Sequence, residues 1–181
     1  AGEGKVIFSY EESYGYMLGD YVRDKDAVTA SMLLTEMAAW YAAQGMTLFD
    51  ALNALYEKYG YYAEKTHNLV MPGLDGLRDM AELMRKLKDE PPTEIAGTEV
   101  VVRKDYNDGT VHDCHTGAVT KMELSGSNVL RFELADGTTI LARPSGTEPK
   151  IKVYILARGK DAADAAANVE KYGAWAEALK G

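Results

Sequence analysis

The dominant spacing of apolar residues changes at Asp89-Glu90-Pro91-Pro92. In the long apolar segments before that point they recur mostly three and four positions apart; in most of those after it, up to the last helix, they alternate. The first period lays an apolar stripe along a helix, and the second gives a strand one apolar face. Two consecutive prolines stop a helix because neither supplies a backbone N–H. The chain is therefore expected to place three helices ahead of an antiparallel sheet and one more helix after it. That is an α+β arrangement with helices packed on one face of the sheet.

Val6-Ile7-Phe8 reads as a short buried strand, and Ser9 to Asp26 as a long polar loop. Asp26 can cap a helix over 27–44, with Leu33, Leu34, Met37 and Tyr41 on its apolar face. Thr47 and Asp50 have the spacing of a capping arrangement for a second helix, which Gly60 ends. Residues 61–71 read as extended, and a third helix covers 74–88. Beyond the prolines, four strands are expected at 99–106, 129–134, 138–142 and 151–157. Asp136-Gly137 suits the two-residue turn of a hairpin. Residues 107–120 read as a polar loop, and Asp161 caps a last helix over 162–179.

The chain has 181 residues, enough for one large domain or two small ones. At this size roughly 70% of the unfolded surface can be buried, so a self-sufficient core is possible. The net charge is −8 and no dense Lys/Arg run occurs, which argues against a nucleic-acid partner. No apolar run approaches the ~20 residues of a membrane span, so no membrane partner is expected. The first residues lack a signal-peptide pattern, and a single cysteine, Cys114, points to the cytoplasm. The start at Ala1, just before an apolar strand, has the look of a cut chain. A strand so exposed invites association or disorder there.

One segment carries most of the chemistry. Arg143-Pro144-Ser145-Gly146-Thr147-Glu148-Pro149 lies between two expected strands. Arg143 offers a planar fork of donors that suits a phosphate. Ser145 and Thr147 offer hydroxyls, Gly146 lets the backbone come close, and two prolines stiffen the loop. Lys150 and Lys152 follow on one face of a strand. On composition alone, a rigid hairpin connection explains the same residues.

The full string from Arg143 to Tyr154, with Lys150-Ile151-Lys152-Val153 inside it, closely resembles the C-terminal phosphate-binding loop of the phosphohexomutases, the phosphoglucomutase and phosphomannomutase enzymes. Tyr10-Glu11-Glu12-Ser13-Tyr14-Gly15-Tyr16 is similar to their sugar-binding loop, and Val22 to Val28 to the segment after it. The pairing is most like the bacterial phosphoglucomutase branch, which includes phosphopentomutase-like members. The resemblance implies that Glu11 and Ser13 contact sugar hydroxyls. It implies that Lys25 reaches the sugar or its phosphate, with assistance of proton transfer as a further role. Arg143, Ser145, Gly146 and Thr147 would grip the phosphate not in transfer. Lys152 stands where many relatives have Arg, keeping the charge without the bidentate fork.

Phosphoryl transfer in that family uses a phosphoserine in a Thr-Ala-Ser-His-Asn-Pro type loop and Mg²⁺ on an Asp-Gly-Asp-Gly-Asp type loop. Neither string occurs here; Thr29-Ala30-Ser31 is followed by Met32 inside a helical pattern. The resemblance therefore implies a partial α/β domain over 1–70, the end of the family's third domain. Its fourth domain would follow over 71–181, a four-stranded antiparallel sheet with flanking helices. The implied function is part of an isomerase, an intramolecular phosphotransferase of carbohydrate metabolism interconverting sugar 1-phosphates and 6-phosphates. Mg²⁺ and catalysis would come from the remaining domains of the same polypeptide, leaving this chain inactive alone and without a metal of its own. The alternative is a stand-alone module that binds or senses a phosphorylated sugar.

Other candidate sites are weaker. His112, Cys114 and His115 lack a fourth metal ligand. Asp105 to Gly109 hints at a calcium loop, but Thr116 stands where the twelfth-position Glu belongs. Trp40, Trp175 and the tyrosines read as packing residues rather than a platform for bases.

Overall fold

A computed structural model describes residues 4–11 and 14–180. The chain forms two compact units, residues 1–58 and 59–181.

In the first unit, β1 (Phe8–Tyr10) pairs antiparallel with β2 (Tyr16–Leu18). The expected long loop thus contains a second strand. Val6, Ile7 and Phe8 are exposed rather than buried, and the strand starts at Phe8, not Val6. Helix α1 (Ala27–Ala42) begins at Asp26, whose carboxylate accepts from the Val28 N–H at 3.0 Å. The expected apolar stripe is present, but no residue of α1 is buried. Helix α2 (Leu48–Tyr59) opens with the reciprocal cap its spacing predicts. The Thr47 N–H donates to Asp50 Oδ2 at 2.8 Å, and the Asp50 N–H donates to Thr47 Oγ1 at 3.1 Å.

The second unit is an antiparallel sheet with two helices on one face. Its strands are β3 (Tyr61–Val70), β4 (Glu94–Ile95), β5 (Thr98–Asp105), β6 (Thr110–Asp113), β7 (Val119–Lys121), β8 (Leu130–Leu134), β9 (Thr139–Pro144) and β10 (Lys150–Gly159). The order is β3-β10-β9-β8-β5-β6-β7, with β4 added beside β5. The sheet has 8 strands where the alternation indicated four. Strand β3 belongs to this sheet, pairing with β10 along its whole length. It escapes a clean period of two because charged groups occupy helix-facing positions. Lys65 Nζ donates to Glu170 at 2.8 Å, and His67 Nδ1 lies 2.9 Å from Glu177. Strands β6 and β7 are short and polar, inside the segment read as a loop. Strands β4 and β5 join through Ala96 and Gly97, both with positive φ (49° and 77°), a turn that alanine disguises.

The core lies between the sheet and the helices α3 (Gly76–Asp89) and α4 (Ala162–Ala178). Ile151, Val153 and Ile155 alternate inward along β10, with no exposed surface, against Val169, Tyr172 and Ala176 of α4 and Met84 and Leu87 of α3. Each such side chain contributes about 1.5–3 kcal/mol by leaving water. The Tyr172 hydroxyl donates to Asp136 Oδ2 and also contacts Thr98 Oγ1 at 2.8 Å. Burial and the adjacent carboxylate push its pKa up to about 12. The opposite face of the sheet carries the alternate residues, among them Lys152, Tyr154, Arg143 and Asn68, none of them buried.

Candidate functional site

The loop between β9 and β10 is pinned at its base and open at its tip. The Ser145 N–H donates to the Lys150 carbonyl at 2.8 Å, and the Lys150 N–H donates to the Glu148 carbonyl at 2.8 Å. The Pro149 carbonyl accepts from the Met71 N–H at 2.8 Å, tying the loop to the end of β3. The Pro149 ring also lies against the start of α3: a Cβ on Gly76 would come within 3.0 Å of Pro149 Cβ. Above this base, Gly146, Thr147 and Glu148 are exposed. The Thr147 N–H reaches Ser145 Oγ at 3.4 Å. A Cβ on Gly146 would meet nothing within 4 Å, and its φ lies outside the left-handed region. The fold itself therefore does not require a glycine there.

Arg143 and Lys152 are direct cross-strand partners at the mouth of this loop. The guanidinium of Arg143 makes no hydrogen bond or ion pair among the described residues, and neither does the Lys152 ammonium. Like charges placed opposite one another across strands destabilise a sheet, and an anion between them would offset that cost. Lys150 is already engaged with the Glu148 carboxylate. That contact holds the Glu148 carboxyl below its usual pKa, with the nearby Lys152 charge acting in the same direction. Glu148 thus occupies Lys150 and leaves the Arg143–Lys152 pair available.

In the first unit the structure brings Glu11 and Lys25 together. The Lys25 ammonium lies 3.3 Å from Glu11 Oε1 and 3.5 Å from Asp24 Oδ1. The hydrogen bond to Glu11, followed by the Glu11 charge, raises the Lys25 pKa above its ordinary value. Asp24 is held below its own, first by the Lys25 N–H. The pair places a positive and a negative group side by side on the same short segment of the first unit. Ser13, with Glu12, lies outside the described residues. The approach of Lys25 to Glu11 depends on Gly15, which no motif argument had singled out. A Cβ there would stand 2.1 Å from Lys25 Cδ and 2.7 Å from Cγ. Tyr14 beside it adopts a left-handed backbone, with φ 64°.

The remaining clusters are occupied by internal pairs. Lys88 Nζ lies 2.6 Å from Asp105 and 3.5 Å from Asp108, supplying the positive charge of that loop. His112 contacts Arg103, and His115 lies 3.5 Å from Glu99. Among the described residues no group of three or more His, Cys, Asp or Glu side chains is placed to hold a metal ion. The Mg²⁺ implied by the family resemblance therefore finds no fitting site on them. No described helix is long and apolar enough to cross a membrane.

Residues 1–59 match the family described as phosphoglucomutase/phosphomannomutase, alpha/beta/alpha domain III. Residues 68–171 match phosphoglucomutase/phosphomannomutase, C-terminal domain. A phosphoglucomutase of Staphylococcus aureus (strain bovine RF122 / ET3-1) is 37% identical over 83% of this chain and 27% of its own length. One of Staphylococcus haemolyticus (strain JCSC1435) is 37% identical over 82% of this chain and 27% of its own length. The chain thus spans less than a third of these relatives. The fold is also similar to the open form of the Paramecium exocytosis-sensitive phosphoprotein pp63/parafusin, with a TM-score of 0.57 and 19% identity over 93% of this chain and 29% of that one. With both halves matched in order, the chain belongs to the phosphoglucomutase/phosphomannomutase family.

Proposed function

We propose that this chain supplies sugar and phosphate recognition to a phosphosugar mutase, an isomerase interconverting a sugar 1-phosphate and the corresponding 6-phosphate, such as those of glucose or mannose. Residues 1–58 act as the end of that enzyme's third domain and residues 59–181 as its fourth, with β3 in the fourth rather than before the expected boundary at 70–71. The phosphoserine and Mg²⁺ belong to the remaining domains of the same polypeptide, acting in the cytoplasm. The observation that carries this reading is the unpaired Arg143–Lys152 row at the mouth of an exposed Ser-Gly-Thr loop.

In this reading Arg143 binds two phosphate oxygens through its fork, and Lys152 adds a second positive charge. Ser145, Thr147 and the backbone at Gly146 supply further donors. Together they hold the phosphate that is not being transferred. Glu11 and Ser13 accept from and orient sugar hydroxyls. Lys25, held beside Glu11, reaches the sugar or its phosphate, with assistance of proton transfer as a further role. Positioning of this kind does most of the work in phosphoryl transfer, where the protein makes few covalent changes.

The test is a titration of the 181-residue chain with glucose 6-phosphate, followed by backbone chemical shifts. Shifts centred on 143–152 that vanish in Arg143→Ala are expected. Shifts that persist unchanged in Arg143→Ala would refute the assignment. The chain alone is expected not to convert glucose 1-phosphate, and turnover by it would overturn the division of labour.

A further inference from the structure

The polar row at the mouth of the loop does not stop at Lys152. Lys152 is the direct cross-strand partner of Arg143 on one side and of Asn68, on β3, on the other. Such partners project to the same face of a sheet, with Cβ atoms about 4.5–5.5 Å apart. Their chain neighbours Leu69, Ile151, Val153 and Ala142 are buried against the helices, so all three project to the open face. Asn68 is exposed, and its carboxamide makes no hydrogen bond among the described residues. Asparagine is depleted in strands, and nothing in the packing calls for one here.

The row is chemically graded. Two cations suit phosphate oxygens. The carboxamide beyond them both donates and accepts and carries no charge, which matches a hydroxyl. We infer that Asn68 is a specificity-determining residue that hydrogen-bonds a hydroxyl of the sugar whose phosphate is held by Arg143, Lys152 and the loop. The inference rests on the phosphosugar reading above. It assigns a recognition role to the strand that opens the second unit, outside both loops that carry the motifs.

Inorganic phosphate and glucose 6-phosphate separate the two ideas, because only the second carries hydroxyls on carbon. Binding of each to the 181-residue chain is measured by calorimetry for the wild type, Asn68→Ala, Asn68→Gln and Arg143→Ala. Asn68→Ala is expected to lower affinity for glucose 6-phosphate about tenfold while leaving inorganic phosphate unchanged. Asn68→Gln is expected to recover part of the loss. Arg143→Ala is expected to weaken both ligands. An Asn68→Ala variant that binds glucose 6-phosphate like wild type, or loses both ligands equally, overturns the role of Asn68. Wild-type binding of phosphate by Arg143→Ala overturns the underlying phosphosugar reading, and a wild type that binds neither ligand overturns both.

Discussion

Replacing Gly15 by alanine adds one methyl group at a position where Lys25 already passes. The new Cβ would stand 2.1 Å from Lys25 Cδ and 2.7 Å from Cγ, whereas ordinary contact begins near 3.4 Å. The lysine stem must therefore retreat by more than an ångström. Its ammonium lies 3.3 Å from Glu11 Oε1, and an ion pair is lost beyond about 4 Å, so this retreat is enough to separate them. Both partners are about half exposed, so Lys25 can swing into water. The φ of Gly15 lies outside the left-handed region, so alanine is tolerated by the backbone. The melting temperature of Gly15→Ala is therefore expected to stay close to wild type while the Lys25 pKa falls back toward its ordinary value. The sign follows from the raised pKa. The folded state favours the protonated lysine, an effect present below the unfolded pKa and lost as pH rises through the folded one. Removing the hydrogen bond that the Lys25 ammonium donates to Glu11, the largest cause, weakens that preference. An alkaline titration of the Lys25 side chain by heteronuclear NMR reads this directly. An unchanged Lys25 titration in Gly15→Ala would refute the reasoning, and a collapsed melting temperature would show that Gly15 serves the fold instead.

Four further outcomes follow from the second unit. Gly173→Ala places a Cβ 2.7 Å from His67 Nε2 inside the α4–sheet contact, and about 1–3 kcal/mol of overpacking is expected in urea denaturation, partly relieved by adding His67→Ala. Tyr172→Phe leaves Asp136 and Thr98 without the hydroxyl between them, at an expected cost of about 1–2 kcal/mol measured the same way. Because the Tyr172 pKa is raised to about 12 from 10.0, wild-type stability is expected to fall as pH rises through that interval, whereas Tyr172→Phe lacks this component. Arg143→Lys keeps the charge but loses the planar fork, and is expected to weaken glucose 6-phosphate binding by about tenfold, less than Arg143→Ala.

Much of the candidate site is legible in residue types alone, because hydroxyls and a guanidinium between two strands carry their chemistry in any register. The Thr47–Asp50 cap and the Asp26 and Asp161 helix starts were equally legible, since each is decided within four residues. What failed to show depends on distant partners. The helix-facing Lys65 and His67 look misplaced until Glu170 and Glu177 arrive from α4. The β4–β5 turn was hidden by Ala96, a residue that seldom adopts positive φ. The need for Gly15 appears only once Lys25 is folded across it. The place of Asn68 in the cationic row follows from the pairing of β3 with β10, which no local pattern encodes.

That pairing also sets when the proposed phosphate cradle can exist. The strand that begins the second unit has to wait for almost all of the unit to be made before its mate appears, since Tyr61 meets Gly159 and Val70 meets Lys150. Closing so long a stretch of chain costs entropy before any contact repays it, which slows assembly. A ribosome-bound intermediate ending before β10 would leave Arg143 on a strand edge with neither Lys152 nor Asn68 alongside. The row proposed to recognise a ligand would thus assemble late and nearly all at once, as the last long strand zips into its slot.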